Sequence, residues 1–178
     1  MTFEENNSKN LKHFLFVLIL LLAFVLSVSA SMADVNGITI TNKTSGGIKG
    51  AVDAGNTDIY LSPGVYSSKN YNIDINKNVT ITGNSSAKNV VIDLKQKGYA
   101  FKIFKGSKLT LINVTIINGK STSGGAIYNE GKLSISSCIF KSNTASKNGG
   151  AIYTKGSTSI TNTIFQSNKA SGNGGAIY

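Results

Sequence analysis

From Asp58 onward the apolar residues come in short runs, each closed by a polar or glycine turn. Runs of this length, rich in β-branched residues and alternating with polar ones, predict strands. The predicted strands are Asp58 to Leu61, Tyr71 to Ile75, Val79 to Ile81, Val90 to Ile92, Phe101 to Phe104 and Leu109 to Ile117. Farther on, three-residue runs recur as Leu133 to Ile135, Cys138 to Phe140 and Ala151 to Tyr153. Turn signals fall between them at Ser62-Pro63-Gly64, Gly83-Asn84, Gly98 and Gly106. No stretch after residue 55 keeps a 3.6-residue period over the roughly 10–12 residues a helical repeat needs. One short helix is predicted within Gly47 to Ala54, where Ile48, Ala51 and Val52 share a face.

The second half repeats itself. Gly-Gly-Ala-Ile-Tyr occurs at 124–128, 149–153 and 174–178, a step of 25 each time. Phe140 and Phe165 keep the same step, as do Asn118, Asn143 and Asn168, and so do Ile135 and Ile160. Two or three strands per 25 residues predict an all-β, right-handed parallel β-helix. A propeller blade needs about 40–50 residues, which the period excludes. One coil cannot bury enough apolar surface to offset the roughly 1–2 kcal/mol of entropy lost per ordered residue, so coils must stack. Ile127, Ile152 and Ile177 are then an inward column, alongside Phe140 over Phe165 and Ile135 over Ile160. Asn118, Asn143 and Asn168 fall where the chain leaves a strand; they are expected to turn the backbone and to bond along the axis. The pairs Gly124-Gly125, Gly149-Gly150 and Gly174-Gly175 are expected at the next corner, where a side chain would clash. Tyr128, Tyr153 and Tyr178 form a further column, read first as a mutually stacked ladder and second as a surface for sugar rings. The short helix is expected to cover the N-terminal end of the solenoid.

The chain begins differently. Phe14 to Leu26 is an unbroken apolar run, preceded by Lys9, Lys12 and His13 and followed by Ser27, Ser29, Ala30, Ser31 and Ala33. This is the layout of an export signal, with boundaries available after Ala30 or Ala33. Residues 1–33 are therefore a cleaved signal peptide or an N-terminal anchor, and both place residues 34–178 outside the membrane. Contact with the membrane is expected only through this hydrophobic segment. The remaining chain divides into residues 34–113, an N-terminal cap with irregular coils, and 114–178, the regular repeats. Tyr178 falls in the middle of a repeat, which is the expectation for a longer protein truncated at its C-terminus.

Composition narrows the function classes. There are 18 basic residues, all lysine, against 8 acidic ones, a formal charge of +10. The lysines are spread singly and arginine is missing, which argues against nucleic acid and favours a soluble β surface. Weak attraction to anionic envelope polymers is a second consequence of the charge. Cys138 is the only cysteine, so no intrachain disulfide staples this chain. It aligns with Thr163 and reads as a packed thiol. Beyond residue 33 the Asn-x-Ser/Thr sequons at Asn42, Asn78, Asn84 and Asn113 are no more than this asparagine-rich composition produces by chance. No cofactor and no metal ligand set is expected, and no catalytic residue is assigned. The one acidic pair worth weighing is Asp74 with Asp93, 19 residues apart and placeable on adjacent coils. A bare pair without arginine or histidine is a poor lyase site.

The pairing of Phe-x-x-Asn with Gly-Gly-Ala-Ile resembles the repeat of the polymorphic outer-membrane proteins of chlamydiae. The stretch Ile59 to Tyr66, followed by Asn78 to Gly83, resembles the adhesin-like proteins of methanogenic archaea, which share that repeat. The resemblance implies a β-helix exposed at the cell surface and used in adhesion, extracellular and without catalytic residues. Its partners would be surface glycans or proteins of a host or neighbouring cell. Thr115-Ile116 departs from the pattern, standing where later repeats have Ile139-Phe140 and Ile164-Phe165. The alternatives are a β-helix enzyme acting on polysaccharides, as lyase or hydrolase, and a purely structural envelope component.

Overall fold

Inward-facing aliphatic side chains recur at matching positions of successive coils, and this is what builds the molecule. The computed structural model describes residues 37–178, so the expected signal or anchor over 1–33 lies outside the described residues. Every strand pair is parallel, and the chain coils through stacked sheets as a right-handed β-helix.

Wall A is a six-stranded sheet of β1 (Gly37–Ile40), β2 (Asp58–Leu61), β5 (Val79–Gly83), β8 (Lys108–Ile112), β12 (Lys132–Ser136) and β16 (Ser157–Thr161). Wall B stacks β3 (Gly64–Tyr66), β6 (Val90–Asp93), β9 (Thr115–Ile117), β13 (Ile139–Lys141) and β17 (Ile164–Gln166). Wall C stacks β4 (Ile73–Ile75), β7 (Phe101–Ile103), β11 (Ile127–Asn129) and β15 (Ile152–Thr154). A fourth, shorter sheet, wall D, holds the two-residue strands β10 (Lys120–Ser121), β14 (Thr144–Ala145) and β18 (Lys169–Ala170).

The register turns the sequence pattern into three core columns. On wall A, Ile59, Ile81, Leu111, Ile135 and Ile160 stand one above another. On wall B the column is Tyr66, Ile92, Ile116, Phe140 and Phe165. On wall C it is Ile73, Phe101, Ile127, Ile152 and Ile177. All but the last rungs are buried, each contributing roughly 1.5–3 kcal/mol when fully removed from water. Ile116 thus occupies a phenylalanine position without leaving the column.

The corners are columns too, made of residues with positive φ. Asn113, Ser137 and Asn162, with φ of 56°, 54° and 48°, turn the chain from wall A into wall B. This corrects the single strand predicted over Leu109 to Ile117: it breaks into β8 and β9, because Asn113 tolerates the left-handed conformation and takes the corner. The predicted strand Tyr71 to Ile75 is shortened to β4. The predicted strands do not include β1, although Ile38 and Ile40 alternate about Thr39, nor β3 and all of wall D, which carry little apolar pattern.

Helix α1 (Gly47–Asp53) buries Ile48, Ala51 and Val52 and packs against β1 and β4 in the first coils. The Ile48 amide donates to Asn70 Oδ1 at 2.7 Å, satisfying a helix-start donor that its own turn cannot reach. At the other end, Ile164, Ile177 and Tyr178 are 57%, 38% and 49% exposed.

Candidate functional site

The repeat's marker residues mostly face inward. Asn143 is fully buried. Its Oδ1 accepts the Gly119 amide at 2.8 Å, and its Nδ2 donates to the Ile116 carbonyl at 3.1 Å. One coil on, Asn168 repeats the arrangement. Its Oδ1 accepts both the Asn143 amide and Asn143 Nδ2 at 3.0 Å, and its Nδ2 donates to the Phe140 carbonyl at 2.9 Å. Each asparagine therefore satisfies backbone groups of the coil before it.

Asn118 does not stand in this ladder. Thr115 pairs with Ile139 and Ile117 with Lys141, so Asn118 lies beside Ser142 and Gly119 lies beside Asn143. The step here is one residue shorter than the exact 25 that aligns the names. The left-handed corner is the column Asn118, Ser142 and Ser167, with φ of 58°, 56° and 55°, one residue before the buried amides. Asn118 Nδ2 instead donates to Asp93 Oδ1 at 2.9 Å.

The two glycines of each pair meet different constraints, although a Cβ on the first would also run into a carbonyl oxygen of its own coil, that of Ile127, Ile152 or Ile177. Gly124, Gly149 and Gly174 have φ of 66°, 65° and 64°. Gly125 and Gly150 have no unusual φ, but a Cβ on either would run into the carbonyl oxygen of the matching glycine one coil on, Gly150 and Gly175 respectively. Phe140 and Phe165 stack with centroids 5.1 Å apart and planes at 9°. Cys138 is buried, and burial pushes its thiol up to about 11, so it stays protonated at neutral pH and is a poor nucleophile.

Asp74 and Asp93 are not neighbours. Asp74 pairs with Lys102 on wall C, whereas Asp93 pairs with Ile117 on wall B. Burial alone would raise the Asp93 carboxyl, but hydrogen bonds from Lys95 and Asn118 hold it below the usual range. Lys95 Nζ also lies 2.7 Å from its Oδ2. Among the described residues no three His, Cys, Asp or Glu side chains stand together.

The outward face of wall C is the chemically richest surface. Tyr128 and Tyr153 stack at 5.1 Å and Tyr153 and Tyr178 at 5.5 Å. Register places Lys102 in the same column, next to Tyr128, and Asp74 beyond it. Lys155 Nζ sits 5.8 Å from the Tyr128 ring centroid and 5.9 Å from that of Tyr153, and its pairing with Tyr128 raises its pKa. Beside this column an open groove of about 440 Å³ is lined by Asn72, Gly98, Tyr99, Lys102, Lys120 to Ser123 and Tyr128. The groove is a step in the wall. Wall D begins at Lys120, whose amide donates to the Gly98 carbonyl at 3.0 Å; one coil earlier the chain turns at Lys95 and Gln96 and reaches β7 through Gly98-Tyr99 without forming a strand of this wall. Sequence reasoning missed it, since Tyr99 lies outside the repeat.

Residues 137–155 and 162–178 match the model of the Chlamydia polymorphic membrane protein repeat. The chain carries this repeat. The matched segments are the corner at Ser137, β13 to β15, and the corner at Asn162, β17 to Tyr178, so each match covers the wall B, D and C part of a coil and leaves out its wall A strand. No curated protein and no solved structure matches the chain at a significant level. The repeat and the β-helix together fit a surface-exposed protein.

Proposed function

We propose that the chain is an exported, non-enzymatic adhesion module that presents the outer walls of its β-helix to glycans or proteins of another cell. One observation carries this reading. The asparagine, glycine and phenylalanine that define the matched repeat are spent on stacking coils, while the tyrosines between them face outward. What repeats is thus a scaffold, and recognition belongs to its exposed face. The separation of Asp74 from Asp93 supports the non-enzymatic part, because the acidic pair weighed as a lyase site is not assembled.

The test uses intact producing cells and beads coated with the purified chain. Brief protease treatment of the cells is expected to release peptides from 37–178, and the beads are expected to adhere to cells or to a glycan array. Recovery of the chain only from cytosol with residues 1–33 intact, or beads that adhere to nothing above the level of albumin-coated ones, would overturn the proposal.

A further inference from the structure

The groove at the start of wall D has the makings of a ligand site, and deepening the adhesion reading on which it rests, we infer that it binds an acidic sugar, a pyranose carrying a carboxylate. Its volume of about 440 Å³ falls in the range of small-molecule sites, roughly 300–1,000 Å³. Two aromatic rings, Tyr99 and Tyr128, line it; Tyr128 is stacked on Tyr153 and has Lys102 over its ring, so Tyr99 is the one that offers an apolar face to the C–H face of a sugar ring.

The two rings are held by carboxylates that lie outside the lining. Tyr128 donates to Glu130 Oε1 at 3.2 Å and Tyr99 to Asp74 Oδ1 at 3.5 Å. Glu130 is further balanced by Lys155 Nζ at 3.8 Å. The lining itself contains two cations and no anion. Lys102 is held in place, with Nζ 4.7 Å from the Phe104 centroid and 5.8 Å from that of Tyr128. Neither Lys102 nor Lys120 is in a salt bridge among the described residues. A neutral sugar would leave both lysines unpaired, whereas a carboxylate gives them a charge-assisted partner.

Hydroxyl recognition is available on the third side. The Ser121 hydroxyl is engaged with the carbonyls of Ser123 and Gly124. Those of Thr122 and Ser123, also in the lining, hold no hydrogen bond among the described residues. They can meet the donor and acceptor pattern of a pyranose. The groove occurs once on the described chain, because it needs the coil without wall D directly before the first coil that has it.

The experiment is calorimetric titration of the full chain with a galacturonic acid trisaccharide and with its methyl-esterified form. The acid is expected to bind and the ester to bind at least tenfold more weakly. Lys102→Gln with Lys120→Gln, both at the surface, is expected to reproduce that loss with an unchanged circular dichroism melt. Tyr99→Leu is expected to weaken both forms severalfold. Lys43→Gln with Lys169→Gln, remote from the groove, is expected to change nothing. Equal binding of acid and ester, an equal loss in the remote double variant, or no binding of the acid at millimolar concentration would overturn the inference. Bead adherence separates the two readings: beads that adhere although the trisaccharide does not bind sink the groove alone, and beads that never adhere sink the adhesion reading.

Discussion

At the scale of single residues, the buried asparagines are where the sequence was most informative and also where it misled. Their spacing marked Asn118, Asn143 and Asn168 as equivalent, but only Asn143 and Asn168 carry the inward ladder. From Lys108 to Ser121 each residue pairs with the one 24 ahead, not 25, which puts Asn118 at the preceding corner, and no local signal distinguishes the two places, since asparagine suits both. The pairing of Gly119 with Asn143 could have been found by aligning Ile117 with Lys141 rather than matching like with like. Asn143→Leu removes three hydrogen bonds from a fully buried position. It orphans the Gly119 amide, for a loss of roughly 1–3 kcal/mol. Urea unfolding checks this, and a sugar titration of the same variant should be unchanged. Lost binding at unaltered stability would mean that Asn143 is a recognition residue.

At the scale of elements, the strands with alternating apolar residues were legible, and the two-residue strands of wall D were not. Lys120–Ser121, Thr144–Ala145 and Lys169–Ala170 have no alternation to read; their pairing comes from their neighbours holding them in register. The groove was hidden for the same reason, since it is made where this unmarked element begins. The glycine pairs were legible as corners, but nothing in their spacing tells the glycine that its own turn requires from the one that the next coil requires. The structure separates them and makes a comparison possible. Gly150→Ala drives a methyl into the Gly175 carbonyl and should cost several kcal/mol, in the range of a badly overpacked site. Gly175→Ala makes the same chemical change, but its Cβ meets nothing closer than the Asn168 carbonyl at 3.8 Å, and the cost should stay within about 0.5 kcal/mol. Thermal melts of the two variants check the contrast. Similar losses would show that backbone conformation, not the approach of the next coil, requires the second glycine.

At the scale of the whole molecule, the architecture was legible because a 25-residue period with inward isoleucines and phenylalanines has few physical solutions. The early coils were read as strands but not as coils: Asp58 pairs with Thr80 whereas Val79 pairs with Leu109, steps too unequal to show as a period. The two ends of the described solenoid differ. Helix α1 covers the first coils, while the last coil exposes Ile164 and Ile177 and the outer edges of β16 to β18. Unpaired edges with apolar side chains invite association. The purified chain is expected to gain mass with concentration in light scattering. Ile164→Lys with Ile177→Lys should return it to monomer. Hydrogen exchange should be faster over 164–178 than over 101–116. A monomer at all concentrations with uniformly slow exchange would contradict this.

The direction of the asparagine ladder has a consequence for how such a molecule lengthens. Because Asn168 completes groups left open on Asn143 and Phe140, every rung is finished by its successor, and the surface offered to a newcomer is the same after each addition. A tandem duplication of one 25-residue unit would therefore meet an interface it already fits, adding reach without asking any existing contact to change. Length becomes a quantity that recombination can vary in whole turns, while the groove at Tyr99, tied to a single irregular junction, keeps its place and its number.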